Sequence, residues 1–341
     1  MKITSILIHQ PIGLLRIRTD AEHEGWCFGV EPAEGELIQR LYASALIGQN
    51  PIDRERLWLE LLRLDTDLKT TLRSYLDTAL WDLVAKLVGQ PIYRMIGGFR
   101  SRAPAYLTGS GHDDYDAVVR EALEAQQDGF LGYKITNLQP SDSSCELIRE
   151  MRQELGDDFY LMLDGARQNA SADALRIGAI LDEADYYWFE EPLEEGESAA
   201  GIELAAGIDT PLALRVRTSL CASRILSAQT ADMIIAGTSF SGGITDIIKI
   251  GRTADAFGVF CLMDSAGITS GFAHAQLLGA MKNAPFFEAR QAGIVEDSPY
   301  IENPLTLVDG YLEVPQAPGL GMVLNWDAID EKTEHIIAAN K

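Results

Sequence analysis

Two rhythms of hydrophobic and polar positions divide this chain. Residues 3–8 and 14–18 alternate apolar and polar and are joined by the short turn His9–Gly13, which contains Pro11. Period-two alternation predicts half-buried strands. A further strand around Trp26–Val30 would complete a small antiparallel sheet. From Gly35 to Val88 the apolar spacing becomes three and four, through LIQRLYASALIG, RERLWLELLRL and TLRSYLDTALWDLVAKLVG. That spacing predicts helices, and the last one stops at Gly89 before Pro91. Strands followed by helices make residues 1–103 an α+β cap.

After Gly97-Gly98 the rhythm changes again. Short apolar runs predict strands at Ala105–Thr108, Tyr133–Thr136, Tyr160–Asp164, Trp188–Glu190, Leu212–Val216, Met233–Ala236, Phe260–Asp264 and Phe286–Ala289. Amphipathic stretches such as AVVREALEAQQDG and ELIREMRQELG fill the gaps. Eight strand–helix units at roughly 25-residue spacing predict a closed TIM-type (β/α) barrel, because an open doubly wound sheet needs no eighth unit. The barrel is expected over 104–303. The tail, 304–341, carries its own strand signal in TLVDGYLEVP and is expected to pack back on the cap.

Two of the barrel runs, FYLMLDGARQ and YYWFEEPL, each end in an acid, Asp164 and Glu190, 26 residues apart. Acids at the carboxyl ends of successive buried strands converge in a barrel mouth. Converging carboxylates need a counter-charge, or one of them must hold a proton.

Composition narrows the chemistry. A formal charge of −23 argues against nucleic acid and anionic membranes as partners. No run approaches 18 consecutive apolar residues, so no transmembrane helix is expected. The opening MKITSILIHQ lacks the apolar core of a signal peptide and reads as a first strand, which makes the cytoplasm the expected compartment. Cys27, Cys145, Cys221 and Cys261 form no CxxC pair and are expected as buried free thiols.

The helix SYLDTALWDLVAKLVGQPIYRMIGG, the segments GYKIT, LDGARQ, WFEEPL, ADMIIAGTSFSGGIT and FFEARQ, and the terminal DGYLEVPQAPGLG resemble the enolase superfamily over essentially the full length, specifically its mandelate racemase and muconate-lactonizing subgroup. The resemblance implies a homo-oligomer and a small carboxylate-bearing substrate, held on magnesium while the proton on the adjacent carbon is abstracted. It assigns Asp164 and Glu190 as metal ligands, and Lys134, Asp264 and Glu288 as catalytic residues.

The chain departs from that pattern at several points. A third carboxylate ligand is expected on the next strand, where PLALRVRTSL offers Arg215 and Val216, and neither binds a cation. Arg215, or Arg217 on the same strand face, could fork to Asp164 and Glu190 and stand in for the metal's charge. Lys134 matches the first of two family lysines, but Thr136 occupies the place of the second. Asp264 stands where a histidine is common, and Gly237 where its supporting aspartate would be. Arg167 and Gln168 are candidate pocket residues, and the loop Ser265–Gly271 a candidate anion-binding turn. His274 is expected to be a packing residue and GGIT at 242–245 a plain strand-to-helix turn. The five residues His9–Gly13 are too few to reach across a barrel mouth as a lid.

Two function classes follow. One is a divergent lyase or isomerase, an acid-sugar dehydratase or racemase, with Lys134 and Asp264 as acid/base pair. The other is a non-catalytic or repurposed homologue that binds a small carboxylate, with Arg215 replacing magnesium.

Overall fold

The computed structural model describes residues 1–64, 70–112, 114–194, 198–264, 267–290, 294–295 and 298–340. Strands β1 (Ile3–Gln10), β2 (Leu14–Thr19) and β3 (Glu24–Cys27) form an antiparallel meander. Ile6, Ile8, Leu15 and Ile17 bury one face of it against Leu57 and Leu61 of the Arg54–Leu64 helix and Leu76, Leu80 and Leu83 of the Thr70–Leu87 helix. At Gly25 the strand backbone meets this helix so closely that a Cβ would lie 2.2 Å from the Ala79 carbonyl oxygen.

The Thr70–Leu87 helix is buried almost all round because it lies between the cap sheet and the barrel. Its polar positions are therefore paired. Asp82 accepts from the backbone N–H groups of Trp26 at 3.1 Å and Leu320 at 2.8 Å. Asp77 accepts from Thr245 N–H at 2.8 Å and Thr245 Oγ1 at 2.6 Å. Gly242 and Gly243 sit under this helix at φ +92° and +107°, where Cβ atoms would strike the Arg73 guanidinium and the Asp77 carboxylate. GGIT, expected as a plain turn, is thus also the seat of the cap helix on the barrel.

Among the described residues, eight parallel strands follow: β4 (Arg102–Thr108), β5 (Gly132–Ile135), β6 (Tyr160–Asp164), β7 (Trp188–Glu190), β8 (Leu212–Arg215), β9 (Met233–Ala236), β10 (Phe260–Met263) and β11 (Phe287–Ala289). They pair in sequence from β4 to β10, and β11 returns to pair with β4, as a barrel requires. Helices such as Tyr115–Gln127, Asp142–Leu155 and Ser171–Glu183 pack on the outside. None of the described helices is long and apolar enough to cross a membrane. The four cysteines are unpaired.

The tail divides rather than returning to the cap as one unit. Its strands β13 (Leu305–Val308) and β14 (Tyr311–Glu313), with β12 (Ile294–Val295) just before the tail, extend the barrel sheet, and β14 runs antiparallel to the first residues of β4. Those positions of β4 precede its pairing with β5, so their edge is open to a partner. Only β15 (His335–Asn340) joins the cap, antiparallel to β1.

Candidate active site at the barrel mouth

Alternation along the strands determines what reaches the mouth. Tyr106, Met162, Trp188, Ala213, Leu262 and Phe286 fill the barrel interior as one apolar cluster. Two residues beyond them on the same strands or strand ends stand Thr108, Asp164, Glu190, Arg215, Asp264 and Glu288. With a side-chain period of two, each of these points into the barrel one layer higher. Val216, one residue out of phase, belongs to the outer core beneath the helices. Of the two candidate residues on β8, Arg215 alone faces the mouth. Arg217, expected as an alternative cation, is exposed and forms no ion pair among the described residues.

These side chains form a chain of charge across the mouth. Lys134 Nζ lies 2.7 Å from Glu190 Oε2 and 3.1 Å from Glu288 Oε1. Thr108 Oγ1 donates to Glu288 Oε1 at 2.7 Å. Arg215 Nη2 reaches Glu190 Oε1 at 3.2 Å and Asp264 Oδ2 at 3.0 Å, and Arg290 approaches Asp264 Oδ1 at 3.7 Å. The pairing partner expected for Arg215 was Asp164 together with Glu190. Asp164 instead turns to the backbone and accepts from Ala166 N–H at 2.8 Å. It forms no ion pair within 4.0 Å among the described residues.

Lys134, Arg215 and Arg290 pair with three carboxylates, Glu190, Asp264 and Glu288, while Asp164 holds a backbone N–H instead. Burial would drive the proton from Lys134, but Glu190 and Glu288 outweigh it and hold the ammonium charged well beyond the usual range. Burial pushes Glu190 up to about 7, against the pull of Lys134 and Arg215. Burial and the neighbouring Glu288 also raise Asp264. Burial acts the same way on Glu288, yet Lys134 and the Thr108 hydroxyl hold it below the carboxylate range.

A magnesium ion needs carboxylate oxygens that turn inward and carry no other cation. Both oxygens of Glu190 already face cations, and the next strand offers a guanidinium. Among the described residues, no group of three or more His, Cys, Asp or Glu could hold a metal ion. This donor set does not fit the divalent ion that the resemblance implies.

Beside the ring, residues following β9 and β10 and the cap enclose a cavity of about 420 Å³. Its polar lining is mostly hydroxyls, including Ser74, Tyr75, Thr78, Thr238, Thr269 and Ser270. No single motif in the sequence marked it, because its walls come from segments far apart in the chain. The tight turn judged too short to reach the mouth contributes Ile12 to this wall, since the cap sits directly over it.

His274 is fully buried, accepts from Thr238 N–H at 3.4 Å, and is kept neutral by burial, which lowers its pKa to about 4. Arg167 and Gln168 are exposed; Arg167 pairs with Glu191 and Gln168 accepts from Gln139 at 2.7 Å. Ser265 and Ala266 of the candidate anion-binding turn lie outside the described residues.

Comparison with known proteins adds chemistry to this geometry. Residues 4–97 match the model for the N-terminal domain of mandelate racemase / muconate lactonizing enzyme, and residues 117–328 match the enolase C-terminal domain-like model. The chain is 29% identical over 343 residues to D-galactarolactone cycloisomerase of Agrobacterium fabrum, covering 93% of this chain and 90% of that protein. It is 28% identical over 336 residues to L-talarate/galactarate dehydratase of Salmonella typhimurium, covering 92% and 81%. L-Talarate dehydratase from a Polaromonas species, solved with Mg and L-glucarate, superposes with a TM-score of 0.85 at 25% identity over 100% of this chain and 99% of that one.

Proposed function

The chain belongs to the mandelate racemase/muconate lactonizing enzyme family of the enolase superfamily, and from that premise we propose that it is a lyase or isomerase for a small polyhydroxy carboxylate whose acid group is held by Arg215. The observation that carries this reading is the Arg215 guanidinium, 3.2 Å from Glu190 and 3.0 Å from Asp264, at the β8 position where the relatives' pattern calls for a metal ligand. Its side chain is one-third exposed, so one edge stays open to a ligand. The related cycloisomerase and dehydratase bear the names of acid-sugar substrates. The hydroxyl-lined cavity suits the polyol portion of such a molecule.

In the proposed reaction Asp264 takes the proton from the carbon next to the carboxylate. The electron pair of that C–H bond moves onto the carboxylate oxygens. Arg215 and Lys134, fixed before the reaction begins, stabilise the charge that develops there. In a dehydration the pair then expels the hydroxyl on the neighbouring carbon, which leaves as water with the proton held on Asp264. A carboxyl raised by burial is a better base than a solvated one. Lys134, locked between two carboxylates, serves as a fixed positive charge rather than as one half of an acid/base pair.

Solvent deuterium incorporation into a panel of acid sugars, run in chelator, tests this. Exchange should proceed without added divalent ion and be lost in both Asp264→Asn and Arg215→Gln. Exchange that requires magnesium and survives Arg215→Gln refutes it. A second reading, a homologue that binds a carboxylate without turnover, is favoured by the full commitment of Lys134 and by Thr136, whose hydroxyl donates to the Gly109 carbonyl at 3.0 Å. It predicts saturable acid-sugar binding with no exchange.

A further inference from the structure

A second cavity, of about 600 Å³, opens between the cap's Arg54–Leu64 helix and the barrel's Ile244–Phe257 helix. It shares no lining residue with the hydroxyl-lined cavity at the mouth. Four cations, Arg54, Arg56, Lys249 and Arg252, line it against two acids, Asp53 and Glu55. A surplus of positive charge is unexpected in a chain whose net charge is −23. Two of the cations are already matched: Arg56 pairs with Asp53 at 3.2 Å, and Lys249 with Glu55 at 2.7 Å.

The other two are not. The Arg54 guanidinium carbon lies 3.3 Å from the centroid of the Trp81 ring, and its Nε and Nη1 are buried without a hydrogen-bond partner. Neither Arg54 nor Arg252 forms an ion pair among the described residues. Guanidinium N–H groups buried without an acceptor, as two of the Arg54 nitrogens are, carry a cost that a bound anion would offset. Burial accordingly lowers the pKa of Arg54. Ile52, Met95, Ile96 and Ile248 complete apolar walls that strengthen any charge interaction inside. Lys249 and Arg252 are one helical turn apart and present their charges side by side.

We propose that this cavity binds a compact dianion, a phosphate group or a small dicarboxylate, clamped between Arg54 on the cap and Arg252 on the barrel. The ligand ties the two domains together and supplies the missing counter-charge. The assignment is independent of what the barrel mouth does.

Titration calorimetry of the full chain with inorganic phosphate and, separately, malonate at constant ionic strength tests it, and the two arms separate the two sources of dianion. At least one anion should bind saturably, and Arg54→Met and Arg252→Ser should each weaken it at least tenfold, about 1.4 kcal/mol. Arg252 is exposed and unpaired, so Arg252→Ser keeps a folded reference should Arg54→Met fail to fold. Binding should persist in Arg215→Ala, which disables the mouth. No binding of either anion, or binding lost in Arg215→Ala and intact in Arg252→Ser, overturns the proposal.

Discussion

The molecule buries charge in two places and treats it differently. Beneath the cap, Asp77 meets donors that cannot leave, a backbone N–H and a threonine hydroxyl, while Asp246 pairs with Arg73 and accepts from Trp58 at 2.8 Å. At the barrel mouth, carboxylates meet charged side chains instead of backbone donors, and one of those side chains, the Arg215 guanidinium, is one-third exposed. The first arrangement is sealed by fixed geometry and serves to hold two domains together. The second leaves one cation, Arg215, partly open, which is what a site must do if a ligand is to reach it.

That contrast can be broken experimentally, and the largest effect belongs to the mouth. Lys134→Met leaves Glu190 and Glu288 buried without their shared cation, and should cost about 3–5 kcal/mol in urea unfolding. Under the cap, Asp77→Ala orphans the Thr245 N–H and hydroxyl and should cost about 1–3 kcal/mol in the same assay, without altering acid-sugar binding. A loss of acid-sugar binding in that variant would merge the two regions into one functional unit.

A gain-of-metal variant sharpens the comparison. Arg215→Glu places a third carboxylate beside Asp164 and Glu190 and releases one oxygen of Glu190. Magnesium at a hundred times its Kd should then raise stability by about 2.7 kcal/mol, read as a melting shift absent from the parent chain. Val216→Glu should give no such gain, because that position faces the outer core.

The smallest effect is in pH. Asp77 and Glu190 are both raised to about 7, so each favours the folded state most when protonated. Their contribution is complete below the ordinary carboxylate range and is lost as pH rises through about 7. Melting measured at about pH 5 and about pH 8 should show Asp77→Asn and Glu190→Gln each falling less than the parent as pH rises. An unchanged slope in Glu190→Gln alone would mean that Lys134 and Arg215 keep that carboxylate ionised throughout.

The fold was legible because its signals are local. Short apolar runs placed the eight strands within a few residues, and Tyr160–Asp164, Trp188–Glu190 and Met233–Ala236 coincide with the predicted spans. The departure at β8 was also visible, since Arg215 and Val216 stand where an acid is expected. Which of them faces the mouth needed the strand's phase, which Ala213 in the interior cluster supplies. Partners were harder to see. Arg215 pairs with Asp264 rather than Asp164 because the strand order and twist decide which neighbours meet, and no local pattern encodes that. The glycines of GGIT were underread for the same reason, their φ values being demanded by a helix some 170 residues earlier in the chain.

The pairing of β1 with β15 has a consequence for biogenesis. Ser5 sits opposite Asn340, so one edge of β1 is covered by a strand that follows the whole barrel in the chain. Throughout synthesis of the barrel, that edge of β1 presents unpaired backbone groups to the cell. The cap sheet therefore reaches its full width only after translation has passed the barrel, and the barrel can assemble beforehand as a platform on which it closes.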